Sequence, residues 1–152
     1  MNKDTFTGEY RYALDAKGRV NIPAPFRKVL SPENENTVVI TRGQDPTIWV
    51  YPALEWQVIE NRLRELSALS PLNRSFIRTM TRWATPVTLD KQGRIQLTSD
   101  LIQYANLEKD VVIVGVINKM EIWNPARLEQ VSAEIPQSDS EEFNNLAQSI
   151  II

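Results

Sequence analysis

Two stretches of the sequence set an aspartate, a glycine and an arginine at one spacing: Asp15-Ala-Lys-Gly18-Arg19 and Asp90-Lys-Gln-Gly93-Arg94. Two carboxylates repeated in this way could form an acid–base pair or hold a cation. The local chemistry accounts for them more simply. An aspartate at the head of a turn accepts hydrogen bonds from backbone N–H groups two or three residues on, which fixes Asp15 and Asp90 as structural turn residues. Gly18 and Gly93 supply the positive φ that a tight hairpin turn requires. Arg19 and Arg94 then project from a rigid support, with Lys17 and Lys91 extending the basic edge. A guanidinium so displayed can bond a guanine edge or a phosphate in two places at once, or can simply close the turn onto its aspartate. The residue types leave both roles open for the arginines.

Other chemistries are limited by what is missing. There is no cysteine, which removes disulfides and thiolate metal sites, and no histidine, the commonest general base and zinc ligand. Neither a catalytic centre nor a cofactor is expected. The first eleven residues lack the apolar stretch of a secretory signal, and the longest apolar run, Val111–Ile117, is seven residues. That is far short of a membrane span, so a soluble, cytoplasmic protein without membrane contact is expected.

The net charge of −2 hides a segregated distribution. Residues 1–30 carry Lys3, Arg11, Lys17, Arg19, Arg27 and Lys28 against Asp4, Glu9 and Asp15; residues 71–96 carry Arg74, Arg78, Arg82, Lys91 and Arg94 against Asp90. Glu129, Glu134, Asp139, Glu141 and Glu142 fill residues 128–152 without a base. Local basic regions beside an acidic tail allow phosphate binding on one surface without overall positive charge.

The elements that position these residues are duplicated. Tyr12–Pro23 aligns with Val87–Thr98 at an offset of 75, with Leu, Asp, Gly and Arg coincident. Downstream, Val38–Ile40 matches Val111–Ile113, and Ile48-Trp49 before Pro52 matches Ile122-Trp123 before Pro125. Each copy predicts an alternating strand (Tyr10–Leu14; Pro86–Leu89), the turn, a short strand (Val20, Ile22; Ile95, Leu97) and a short helix (Ala24–Leu30; Ser99–Ala105, capped by Thr98 or Ser99). A hairpin follows: Val38–Thr41 with Ile48–Tyr51, and Val111–Val114 with Lys119–Trp123. Pro52 and Pro125 then open helices.

Between the copies a helical pair is expected. Leu54, Val58, Leu63, Leu66 and Leu69 stripe the first helix; Leu72, Phe76, Met80 and Trp83 form one face of the second, after Pro71. Arg74, Arg78 and Arg82 repeat on another face, either solvated or paired with Glu55, Glu60 and Glu65, or contacting phosphates. The acidic end is expected as a helix or frayed tail whose last three isoleucines, 150–152, offer an apolar end for docking on a core or a neighbouring subunit. The fold class is thus α+β and β-rich, with units at 1–52 and 85–125, a linking helical pair at 53–84 and an acidic helix or tail at 126–152.

From about Phe6 to about Leu128, the stretches TFTGEYRYALDAKGRVNIPAPFRKVL and LDKQGRI…YANLEKDVVIVGVINKMEIWNP resemble MraZ proteins. The resemblance implies two pseudo-equivalent swapped-hairpin (AbrB-like) units and a bacterial, nucleoid-associated transcription regulator. Such proteins bind short direct repeats in double-stranded DNA upstream of their own operon, the division and cell-wall cluster, and assemble into homo-oligomeric rings. The family's DXXXR motif falls on Asp15–Arg19 and Asp90–Arg94. The resemblance therefore implies DNA binding by Lys17 and Arg19 first, with Lys91 and Arg94 behind them. The first copy keeps Ile22-Pro23 and Phe26-Arg27; the second has Leu97-Thr98 and Gln103 where a proline and an arginine are usual, which weakens any DNA-holding role for its helix. Two rival functions are an antitoxin-like protein-interaction module, in which DNA binding is secondary, and a hydrolase requiring Asp15 and Asp90 beside a cleft.

Overall fold

The computed structural model describes residues 5–138 and 140–151, so Lys3, Asp4, Asp139 and Ile152 lie outside the described residues, and of the last three isoleucines only Ile150 has a described side chain. The strands are β1 (Phe6–Ala13), β2 (Arg19–Asn21), β3 (Thr37–Arg42), β4 (Ile48–Pro52), β5 (Thr85–Thr88), β6 (Arg94–Gln96), β7 (Asp110–Ile117) and β8 (Met120–Trp123). The helices are α1 (Ala24–Val29), α2 (Ala53–Arg64), α3 (Pro71–Thr81), α4 (Ser99–Tyr104), α5 (Pro125–Ser138) and α6 (Ser140–Ile151).

Six strands form one antiparallel sheet in the order β1-β7-β8-β4-β3-β5, and β2 and β6 form a separate two-stranded ribbon. The two sequence copies are interleaved. β1 of the first copy pairs with β7 of the second, while β5 of the second pairs with β3 of the first. The register repeats with them: Tyr12 faces Val111 as Val87 faces Val38. Where the copies meet, equivalent residues face one another, Val20 opposite Ile95 in the ribbon and Ile48 opposite Ile122 in the sheet. A pseudo-twofold relation between the copies follows from these pairings.

The period-two pattern of β4 and β7 places alternate residues on two faces. Ile48, Val50, Val111 and Ile113 enter the main core with Phe6, Val20, Ile22, Phe26, Ile95 and Leu101, between the sheet and the layer formed by the ribbon and the short helices α1 and α4. Each such fully buried aliphatic side chain is worth about 1.5–3 kcal/mol. Phe26 holds α1 in place, edge-on to Phe6 at 5.5 Å and to Tyr10 at 5.2 Å between ring centroids. Val39, Tyr51 and Trp56 form a smaller cluster on the opposite face, beneath α2.

The helix ends are secured by side chains. Asn34, buried in a 3-10 turn at Pro32–Asn34, accepts the Leu54 N–H at 2.9 Å and so satisfies a free donor at the start of α2. Thr98 rather than Ser99 caps α4, accepting from the Leu101 N–H at 3.2 Å. Ser70 caps α3 by accepting from Asn73 N–H at 3.2 Å.

The helical pair is less buried than its apolar pattern suggests. Trp56 and Leu63 are the buried residues of α2, whereas Leu54, Val58, Leu66 and Leu69 are exposed, as are Leu72 and Phe76 of the following helix. The helix ends at Arg64, before the stripe does; Trp56 packs with Val39 of β3 and Tyr51 of β4, while Leu63 is buried at the α2–α3 connection. No helix among the described residues is long and apolar enough to cross a membrane.

Candidate nucleic-acid interface

The two Asp-x-x-Gly-Arg segments form one turn twice over. In the first, the Asp15 N–H donates to the Arg19 carbonyl at 3.0 Å and the Gly18 N–H to the Asp15 carbonyl at 3.0 Å. Asp15 Oδ1 accepts from the backbone N–H groups of Lys17 (2.9 Å) and Arg19 (2.8 Å), and Oδ2 accepts from Arg19 Nε at 2.7 Å. In the second, Asp90 Oδ1 accepts from the N–H groups of Gln92 and Arg94, both at 2.9 Å, and Oδ2 accepts from Arg94 Nε at 2.9 Å. Gly18 at φ 79° and Gly93 at φ 77° occupy the left-handed region that makes the bend possible.

Both aspartates are thereby held ionised. The largest influence on Asp15 is the hydrogen bond from the Arg19 backbone; partial desolvation opposes it, and the Arg19 side chain and Lys17 backbone add to it, leaving the carboxyl below its ordinary range. Asp90 is lowered in the same way by the Arg94 backbone, with its side chain and the Gln92 backbone. A carboxylate held in its charged form by its own turn is unsuited to act as a general acid. Among the described residues no three or more Asp and Glu side chains gather where a metal ion could sit.

The turns do not close onto their own flanking strands as ordinary hairpins; they lock onto one another. The Ile22 N–H donates to Gly93 C=O and the Leu97 N–H to Gly18 C=O, each at 2.9 Å. Asn21 opposes Arg94 and Gln96 opposes Arg19, so the two arginines lie two register positions apart, roughly 7 Å along the ribbon. That offset is comparable with the rise of about two base pairs along the axis of B-DNA. Lys17 and Lys91 are exposed, and Arg19 and Arg94 are about 30% and 27% exposed. Each arginine spends its Nε on its aspartate, which fixes the direction of the rest of the fork.

Each loop is also held from outside by side chains of the other copy, and differently. Gln96 Nε2 donates to Lys17 C=O at 2.6 Å, holding the first loop. Arg27 Nη1 (3.3 Å) and Asn21 Nδ2 (3.4 Å) donate to Gln92 C=O, holding the second. Arg27 therefore brings a further cation from α1 to the second loop. The sequence contains its signal, an arginine in the first short helix, but a contact over 65 residues has no local signature. On the helical pair, Arg74 Nη1 donates to the carbonyls of Ala68 (2.8 Å) and Leu69 (3.2 Å), and Arg82 lies over the Trp83 ring. Among the described residues, neither these nor Arg78 forms an ion pair with Glu55, Glu60 or Glu65.

Comparison with known proteins agrees with the duplicated architecture. The family model described as "MraZ protein, putative antitoxin-like" matches twice, over residues 5–79 and 80–149. A protein of Natranaerobius thermophilus named transcriptional regulator MraZ is 44% identical over 146 residues, covering 96% of each chain. Proteins of the same name from Pediococcus pentosaceus and Desulfitobacterium hafniense are 40% and 39% identical, again over 96% of each chain. With both halves matched by the family model and relatives covered nearly end to end, the chain belongs to the MraZ family.

Proposed function

We propose that this protein is a transcription regulator that binds double-stranded DNA through the clasped pair of Asp-x-x-Gly-Arg loops. Lys17 and Arg19 lead the contact, with Lys91 and Arg94 beside them. The observation that carries this reading is the rigid display of two arginines and two exposed lysines on loops bonded to each other through Ile22, Gly93, Leu97 and Gly18. The relatives' name, transcriptional regulator MraZ, supports the same role. The Nη groups of Arg19 bond a base edge in the major groove, and Lys17 steadies a phosphate.

One such edge offers few contacts, so a single subunit binds weakly. In this reading the protein assembles as a ring-like homo-oligomer. It meets short direct repeats upstream of its own operon simultaneously, so that affinity comes from multivalency. It acts in the cytoplasm at the nucleoid, and no catalysis is required of it. Exposed apolar residues on the helical pair, Leu66, Leu69, Leu72 and Phe76, favour protein–protein contact as part of the activity.

The test is binding of the purified chain to its own upstream DNA and to a scrambled duplex over a salt series, with Arg19→Ala and Arg94→Ala in parallel. Sequence-dependent binding that weakens steeply with salt and is lost in Arg19→Ala is expected. Equal affinity for both duplexes, unaffected by either substitution, would favour the antitoxin-like protein-interaction reading.

A further inference from the structure

The α2–α3 connection builds a groove. Leu63, Leu66, Ala68 and Ile77 line it, with Glu60 and Arg64 at its rim. The connection is held by Ser70 capping α3, by Asn73 Nδ2 donating to Ser67 C=O at 3.0 Å, and by Arg74 bonding the carbonyls of Ala68 and Leu69. The groove is therefore preformed. Arg64 in its lining and Arg74 and Arg78 of α3 are exposed cations, against Glu60 in the lining and Glu65 beside it, while Arg62 lines a different cleft of α2.

At the other end of the sequence, α6 carries the complementary surface. Phe143, Leu146 and Ile150 are 52%, 63% and 77% exposed and follow each other at spacings of three and four residues, so they line one side of the helix. Its first turn holds Glu141 and Glu142, and its last turn has no base. Twelve residues make a helix about 18 Å long, suited to a groove between two helices of similar length.

The two surfaces sit on different halves of the molecule. α2 packs over β3 and β4, whereas α5, which leads into α6, packs over β7 on the other half of the sheet. Resting on the reading of the protein as a homo-oligomer, we propose that α6 of one copy seats in the α2–α3 groove of the next, with Glu141 and Glu142 against Arg64 and Arg78. The contact is heterologous: each copy donates a helix at one end and receives one at the other, which closes into a ring when the rotation per copy allows.

The experiment measures the molar mass of the full-length chain by sedimentation velocity across a concentration series. It compares wild type, a groove variant (Arg64→Glu with Arg78→Glu) and a helix variant (Glu141→Arg with Glu142→Arg), each checked for folding by near-ultraviolet circular dichroism. Each variant alone is expected to assemble about tenfold more weakly or worse. An equimolar mixture should recover the wild-type mass, because every seam then pairs opposite charges. Phe143→Asp should dissociate the assembly by removing the apolar anchor, with no rescue by the groove variant. Wild-type mass in both charge variants and in Phe143→Asp would overturn this seam while leaving oligomerisation standing. A wild-type chain monomeric at all concentrations would overturn both. Monomers whose melting temperature falls in each charge variant and recovers when all four changes share one chain would place α6 in its own groove, which also overturns the proposal.

Discussion

Arg94 Nη1 lies 3.9 Å from Asp15 Oδ2, so the arginine of the second loop reaches the carboxylate of the first while its Nε bonds Asp90 at 2.9 Å. No reciprocal approach of Arg19 to Asp90 falls within 4 Å among the described residues. The two loops are alike in backbone and unequal in electrostatics: Asp15 faces two guanidinium groups, Asp90 faces one.

This inequality predicts an order of effects. Asp15→Ala should weaken binding to upstream DNA more than Asp90→Ala, because it frees Arg19 and removes a partner of Arg94. The expected losses are about tenfold or more against a few-fold, on the scale of loosened charged contacts. Fluorescence anisotropy of a labelled duplex checks this, and equal losses would contradict the asymmetry.

The glycines give a stability test. At φ 79° and 77°, Gly18→Ala and Gly93→Ala should each cost about 1–2 kcal/mol from backbone strain. A Cβ at position 93 would also collide with the Arg27 guanidinium, whereas at position 18 the nearest neighbours are the ends of Gln96 and Ile102. Denaturant titration should rank Gly93→Ala at or below Gly18→Ala in stability. In an Arg27→Ala background, which itself gives up the bond to Gln92 C=O, the added cost of Gly93→Ala should fall to the strain alone.

Tyr51 offers a pH test. Burial, aided by the negative charges of Glu55 and Glu121, raises its phenol pKa to about 12. The folded state keeps a proton that the unfolded chain releases near pH 10, so stability should be unaffected below that and decline as pH rises towards 12. Alkaline difference spectroscopy should show a late phenol ionisation that Tyr51→Phe removes. At the acid end the sign reverses: Asp15 and Asp90 have lowered values, so the stability they lend is present above about pH 4 and is lost as pH falls below it.

Asn34 tests the anchoring of the helical pair. Its side chain accepts the Leu54 N–H and donates to Ser31 from a buried position. Asn34→Ala should cost about 1–3 kcal/mol by leaving that N–H unsatisfied, with the loss appearing first in hydrogen exchange of the amides that open α2.

Local features of the fold were legible in the residues. Alternating strands, Pro-opened helices and the Asp–Gly turns all follow short-range rules, and α1 and α4 end within one residue of the spans that their patterns predict. Strand partners were not legible from alternation alone, because β1 meets a strand about a hundred residues away and period-two patterning is silent on partner choice. Nor did the pattern reveal that Leu54 and Val58 face outward: an apolar stripe fixes a helix face, not what covers it. At the loops, spacing pointed to the arginines, while the cross-copy bonds of Gln96 and Arg27 needed the fold to appear.

The exchange of β1 and β5 between the copies has a consequence for how the chain comes to be folded. Phe6–Ala13 leaves the ribosome early, yet its partner, Asp110–Ile117, comes last among the long strands. The first half must wait with an open strand edge, and it can complete itself on the second half of any identical chain nearby. Folding should thus be slow for the chain's size, sensitive to concentration, and prone to swapped dimers when many copies are made at once.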